Sequence, residues 1–246
     1  MATLSPEEFE RYDRQLKIPS FGEEAQLRLK SSAVLIAGIG GLGSVAAIYL
    51  AAAGVGKLRI VDEGLVELSN LNRQILYFTE DINQPKVLAA EKKLMELNPL
   101  IEIEAIQEKI TEENIEDLLR GVNLVVDGQD NFKTRFVINE ACIRKSKPFI
   151  YGAVYGMEGR LMTIIPEKGP CLKCLIPSEP RELEKIPVIG PAPGIIGALE
   201  ALEAIKLLTG IGEPAVGKLL VIDGERLSFE VVDVKQDPKC PVCGKK

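Results

Sequence analysis

A doubly wound α/β fold with a mostly parallel sheet is what this chain of 246 residues predicts, and three observations predict it. In the stretch Ser31 to Gly43, SSAVLIAGIGGLG, an apolar run (Ala33 to Ala37) meets Gly38-Ile39-Gly40-Gly41-Leu42-Gly43, and the small-residue run Ser44 to Gly54 follows. That order is strand, glycine turn, helix. Two further apolar segments, Leu58 to Val61 and Val122 to Val126, each end in an acid, Asp62 and Asp127. Beyond Phe149 the strands follow one another through turns, which marks an antiparallel C-terminal extension.

The glycine turn carries the first functional reading. Glycines let the backbone bend tightly and approach a ligand with no side chain between. The helix that follows turns its free N–H groups and positive dipole end toward that ligand, so a phosphate belongs there. Gly38, Gly40, Gly41, Leu42 and Gly43 are therefore candidate nucleotide-binding residues. Asp62 lies nineteen positions after Gly43, where an acid accepts hydrogen bonds from a ribose. The arrangement is Rossmann-like.

Composition sets the limits. The chain is 46% hydrophobic and 27% charged, as a globular protein is, and its net charge of −6 argues against a nucleic-acid groove. No apolar run approaches the roughly eighteen residues of a membrane span. The N-terminus, MATLSPEEFERYDRQ, is polar and acidic, unlike a secretory signal. A cytoplasmic location is expected, with no membrane partner. No repeat or low-complexity linker divides residues 1–246, so one domain is expected. Its parts are N-terminal helices over 1–30, a nucleotide-binding core over 31–150, and a cysteine-bearing part over 151–246.

Taken in order, residues 5 to 30 predict two short helices. Ser5-Pro6-Glu7-Glu8 supplies a cap, a first-turn proline and acids near the dipole. Arg11, Arg14 and Lys17 recur at helical spacing, as a solvated basic face would. Glu63 to Gln84 is a long connection of low periodicity, and a loop of that length in a compact domain is usually functional. A helix runs from Pro85-Lys86 to about Leu97, where Asn98-Pro99 stops it. Ile101 to Ile106 is a half-buried strand and Thr111 to Leu119 a short helix. After Val126 comes Asp127-Gly128-Gln129-Asp130-Asn131, and then a helix from Phe132 to about Ser146. Strands Phe149 to Val154 and Arg160 to Ile165 flank a turn. Seven prolines make Pro166 to Pro193 irregular, a helix spans Gly194 to Thr209, and Leu219 to Ile222 pairs with Leu227 to Val234 as a closing hairpin.

Five cysteines and no histidine narrow the chemistry. Four cysteines form two Cys-x-x-Cys pairs, Cys171/Cys174 and Cys240/Cys243, the soft tetrahedral set that zinc prefers. A closed four-thiolate site is structural, and it would tie the proline-rich segment to the C-terminal tail. Cys142 is expected to be a buried core residue. With no imidazole, general-base chemistry by histidine is excluded.

Arg73 and Lys86 lie on the loop and helix after Asp62, where two cations neutralise extra phosphates. Asp130, at a third strand end, suits Mg²⁺. Together these describe a bound triphosphate with its metal. A nicotinamide- or flavin-dependent oxidoreductase would leave all three residues without a role.

The chain resembles the ThiF/MoeB/HesA family of ubiquitin-activating-enzyme-like adenylyltransferases. The likeness covers nearly its whole length. It rests on Arg11-Tyr12-Asp13-Arg14-Gln15, the turn from Gly38 to Gly43, Asp62, Ser69 to Arg73, Lys86, Asp127 to Asn131 and both cysteine pairs. Gly194-Ile195-Ile196-Gly197 leading into Glu200-Ala201-Leu202-Glu203-Ala204-Ile205-Lys206 completes it. The resemblance implies adenylation, by Mg-ATP, of the Gly-Gly C-terminus of a small ubiquitin-like sulfur carrier of the MoaD/ThiS type. It implies that Asp62 holds ribose, that Arg73 and Lys86 hold phosphates, that Asp130 binds magnesium, and that Asn70 and Asn131 contact the nucleotide. It also implies a homodimer in which Arg14 reaches the ATP of the neighbouring subunit, in place of the solvated-face reading. A sister activity on a small carboxylate or a modified tRNA base is the alternative. Many members carry a cysteine in the stretch that here reads Ser178 to Pro193, with Leu183 near the expected place, so adenylation without an enzyme thioester is expected. No rhodanese-like extension follows Lys246, so another protein is expected to supply sulfur.

Overall fold

The computed structural model describes residues 3–181 and 185–244. The N-terminal segment forms three short helices rather than two: α1 (Pro6–Arg11), α2 (Asp13–Leu16) and α3 (Gly22–Lys30). Gly22, at φ +60°, makes the extra break. The Ser5 hydroxyl accepts from Glu8 N at 3.2 Å, and the Glu8 carboxylate accepts from Ser5 N at 2.7 Å, closing the capping box that starts α1.

The elements that follow are β1 (Ala33–Ala37), α4 (Gly41–Ala53), β2 (Lys57–Val61), α5 (Lys86–Leu97), β3 (Glu102–Ile106), α6 (Ile115–Leu118), β4 (Leu124–Asp127) and α7 (Phe132–Arg144). Then come β5 (Phe149–Tyr155), β6 (Glu158–Ile164), α8 (Leu172–Leu175), α9 (Pro191–Thr209), β7 (Lys218–Asp223) and β8 (Ser228–Asp233). Two helices differ from expectation. The last long helix begins at Pro191, three residues early, because a helix's first turn needs no N–H donors and tolerates Pro191 and Pro193. The helix expected over Thr111 to Leu119 shortens to α6, because the Asn114 side chain accepts from Thr111 N at 2.9 Å and holds that segment as a turn.

Among the described residues the strands form one sheet in the order β3-β2-β1-β4-β5-β6-β7-β8. The pairings from β3 to β5 are parallel, and those from β5 to β8 antiparallel. Strand β1 is buried on both faces, as its unbroken apolar run requires. Its side chains alternate between two cores. Val34 and Ile36 pack with α4 and α5 residues such as Leu50 and Leu94. Ala33, Leu35 and Ala37 pack on the other face with Ile138, Phe149 and Tyr151. Gly197 lets α9 approach α4 closely: a Cβ on it would stand 2.6 Å from Leu42 O. No described helix is long and apolar enough to cross a membrane.

Candidate functional site

Register places three chain segments side by side. Ala37 is the partner of Val61 on one side and of Asp127 on the other. The next residues, Gly38, Asp62 and Gly128, therefore leave the sheet together at the C-terminal strand ends, where ligands of such sheets bind. Gly38 has φ +96°, and a Cβ there would stand 2.7 Å from Gly128 O, so only glycine fits. Gly43 is as constrained, with 1.9 Å between such a Cβ and Gly38 O. Leu42 turns its side chain away from the turn, into a small core with Ile196 and Ile222, and leaves only its backbone to a ligand.

Asp62 organises the turn. Its Oδ2 accepts from Ile39 N at 3.0 Å and its Oδ1 from Gly64 N at 2.8 Å, with further lone pairs left over. Lys86 starts α5, its N donating to Gly64 O at 3.0 Å. A Cβ on Gly64 would stand 3.0 Å from Asp62 Oδ1 and 3.4 Å from Lys86 Nζ, so carboxylate and ammonium flank the same glycine. Arg73 lies against the turn from the other side, its Cγ 3.7 Å from the Cβ position of Gly41. Its Nη1 donates to Ser69 O (2.8 Å) and Asn72 Oδ1 (3.1 Å), which holds the side chain to its own loop. Asn70 faces inward: it is buried, and its Oδ1 accepts from Glu67 N at 3.0 Å.

The third segment is braced from behind. Asp127 is wholly buried, and its Oδ2 lies 2.7 Å from Arg135 Nε. Arg135 Nη2 donates to Gln129 O (2.6 Å) and Gly152 O (2.8 Å). Burial works against the guanidinium's charge, but Asp127 outweighs it and raises the Arg135 pKa, so this cation persists. Braced in this way, Gly128 to Asn131 present Asp130 to solvent, with Asn131 Nδ2 at 3.4 Å from its Oδ1. The Asn131 Oδ1 is spent on capping α7, accepting from Thr134 N at 2.9 Å. A cleft of about 260 Å³ runs from Asp130 and Phe132 past Tyr155 of β5 to Arg160, Arg181 and Ile186.

The two cysteine pairs meet. The Sγ atoms of Cys171, Cys174, Cys240 and Cys243 all lie within 4.8 Å of one another. Cys171 and Cys240 are 3.7 Å apart, Cys174 and Cys243 3.4 Å. Four thiolates about 2.3 Å from one zinc stand roughly 3.8 Å apart, so the cluster fits a tetrahedral ion. Without metal, burial pushes the Cys174 thiol up to about 11. Cys142 is wholly buried in the sheet's second core and its thiol is pushed up by burial, as an inert core residue.

Arg14 does not join the others. It is exposed on α2, beside Gln15, whose Nε2 donates to Ala53 O at the far end of α4. Thirteen helical residues, about 20 Å, separate that end from the glycine turn. Leu183, near the place where many members of the resembled family carry a cysteine, lies outside the described residues. Sequence reasoning passed over Gln74, Tyr77, Arg135 and Glu200. Arg135 had a faint signal, since a buried strand-end acid needs a cation one helical turn into the next element.

Chemically, a turn of free N–H groups, two cations and an exposed carboxylate beyond the C-terminal ends of adjacent strands can hold a polyphosphate with a hard metal ion. Residues 12–242 match the model of the ThiF family. The chain is 44% identical to a sulfur carrier protein adenylyltransferase of Thermus thermophilus, over 97% of this chain and 92% of that one. It is 43% identical to the sulfur carrier protein ThiS adenylyltransferase of Escherichia coli, over 98% and 97%. A crystal structure of Escherichia coli MccB with MccA-N7isoASN superposes at a TM-score of 0.88, with 23% identity over 98% of this chain and 76% of that one. This last likeness concerns the fold.

Proposed function

Because the chain belongs to the ThiF family, we propose that it is an adenylyltransferase acting on the C-terminal Gly-Gly carboxylate of a small ubiquitin-like sulfur carrier. What supports the reading is that Asp62 and Lys86 flank Gly64 and Arg73 lies against Gly41, while Asp130 is exposed beyond the end of the neighbouring strand. An oxidoreductase of the same fold has no use for two phosphate-reaching cations and an exposed carboxylate there. The similar proteins from Thermus and Escherichia carry the activity in their names.

In this reading ATP lies across the strand ends, ribose at Asp62 and phosphates at Gly38 to Gly43, Arg73 and Lys86. Asp130, with its exposed oxygens, would hold Mg²⁺, which when bound supplies charge neutralisation at the β- and γ-phosphoryl groups. The carrier's tail enters the cleft between Phe132 and Arg160. Its terminal carboxylate, already ionised at neutral pH, attacks the α-phosphorus. A carboxyl O–P bond forms, the bond to the bridging oxygen breaks, and pyrophosphate leaves with the electron pair. No proton moves, which suits a chain without histidine. Catalysis is then positioning and charge neutralisation.

Residues 1–246 act as one unit, the half over 151–246 receiving the carrier. The exposed apolar residues of β8, Phe229 and Val231, fit such a docking face. The distance of Arg14 from its own glycine turn fits a homodimer in which it serves the neighbouring subunit. The four cysteines hold a structural zinc. Adenylation proceeds without an enzyme thioester. The test is ATP–pyrophosphate exchange with a Gly-Gly-ended carrier. Exchange that depends on the carrier and stops when the last glycine is removed is expected, whereas exchange indifferent to the carrier refutes the proposal.

A further inference from the structure

Asn139 is wholly buried midway along α7, and the two ends of its amide fare differently. Its Oδ1 accepts from Leu172 N at 3.0 Å, while its Nδ2 has no acceptor. The same bond fixes which end is oxygen, since Leu172 N can only donate. A buried donor without a partner is costly, so the oxygen is what this position is kept for.

That oxygen acts between the ligands of the candidate metal site. Leu172 directly follows Cys171 and opens α8, a single turn of four residues that is too short to hold its own shape. The first N–H groups of a helix need acceptors from outside it, and the residue just before the helix commonly supplies one. Here that residue is Cys171, whose side chain makes no cap. Its sulfur stands instead 3.7 Å from that of Cys240. Asn139 supplies the missing acceptor from another element. One residue on, Lys173 Nζ stands 4.4 Å from the centre of the Phe136 ring, three residues before Asn139 on the same face of α7. So α7 grips the turn between Cys171 and Cys174 at two successive residues. Arg135, which braces Asp127, lies one helical turn before Asn139. The cysteine turn is thereby fastened to the helix that supports the Asp127 strand end.

We infer that Asn139 is a positioning residue of the metal site. By capping α8 in place of Cys171, it holds the Cys171–Cys174 turn in ligating geometry and leaves the Cys171 sulfur to the ion. The inference rests on the zinc reading above and adds to it a residue outside the four thiols.

Competition of the Co²⁺-loaded full chain against a chelator tests it, followed by the visible absorption of cobalt in a tetrahedral thiolate site. In Asn139→Leu the bulk stays, Leu172 N loses its acceptor and the stranded Nδ2 goes too. The two changes offset each other, so the metal-free melting temperature is expected to stay within a few degrees of the parent. Cobalt affinity is expected to fall roughly tenfold to a hundredfold. Parent-like cobalt affinity overturns the inference. So does a loss matched by an equal loss of metal-free stability, since the bond then serves the fold and not the ion. If the leucine variant does not fold, Asn139→Ala is set against Ile138→Ala, which removes a buried side chain from the same helix and leaves the bond in place. Only the first is expected to lose cobalt affinity, and equal losses overturn the inference. A parent chain that binds no cobalt sinks the zinc reading itself, and this inference with it.

Discussion

The hydroxyl of Tyr77 lies 2.8 Å from the carbonyl oxygen of Ile39 and 3.3 Å from that of Lys86. One buried phenol thus ties the middle of the glycine turn to the first residue of α5. Asp62 holds the same Ile39 peptide from its N–H side. Burial, and then the Asp62 charge, push the Tyr77 pKa far above its ordinary value, so the hydroxyl stays a donor at any working pH.

Tyr77→Phe removes that donor without leaving a cavity. The Ile39 carbonyl loses its partner, at a cost of about 1–3 kcal/mol. Denaturant unfolding should show a loss in that range, and nucleotide affinity should fall with it, because the turn is no longer pinned. Unchanged stability would show that the bond carries no weight.

Asp130→Ala separates site from scaffold. The side chain is exposed and its contact with the Asn131 amide is a long 3.4 Å, so stability should stay within about 0.5 kcal/mol of the parent. Pyrophosphate exchange should fall by at least about a hundredfold if the carboxylate holds the metal. Parent-level exchange removes Asp130 from the metal site.

Cys243→Ser opens the thiol cluster. The apparent free energy of structural zinc in small peptides is roughly 10–16 kcal/mol, so even partial loss should lower the melting temperature by many degrees. Elemental analysis should find one zinc per chain in the parent and less in the variant. A parent chain without zinc, melting where the variant does, contradicts the assignment.

Glu200 predicts a pH dependence. It is wholly buried, neither carboxylate oxygen has a partner, and Gly152 leaves the room, since a Cβ there would stand 2.3 Å from Glu200 Oε1. Burial, and then the Asp127 charge, raise its carboxyl well above 4.5. The folded state therefore binds a proton that the unfolded chain releases near pH 4.5. Its stabilising contribution is full below that pH and declines as pH rises toward the folded pKa. Glu200→Gln removes this term. The variant should gain on the parent as pH rises above 4.5, by about 1.4 kcal/mol per pH unit until the folded carboxyl titrates. Parallel stability curves for parent and variant would contradict it.

Much of this was readable in one dimension. Ala33 to Gly43 could be read because a buried strand, a glycine turn and a helix each leave a compositional mark over consecutive residues. The two cysteine pairs could be read because metal ligands keep a fixed local spacing, although nothing local said that they meet. The sequence placed Asn70 in the loop that carries Arg73, but could not show that its Oδ1 accepts from Glu67 N. That Glu200 is buried without a partner could not be read, because an unpartnered buried group is a property of its surroundings and not of its neighbours in sequence.

By itself, then, the sequence determined the class of fold, the glycine turn between strand and helix, the two cysteine pairs whose spacing suits a metal, and the absence of imidazole chemistry, since each is written in residue type and short-range spacing. Tertiary structure alone decided which strand ends lie level. It also decided that Arg135 braces Asp127, that Tyr77 and Asp62 grip one peptide from two sides, and that Arg14 stands a full helix away from the turn. Register and packing are set by contacts between residues tens of positions apart, and no local pattern encodes those.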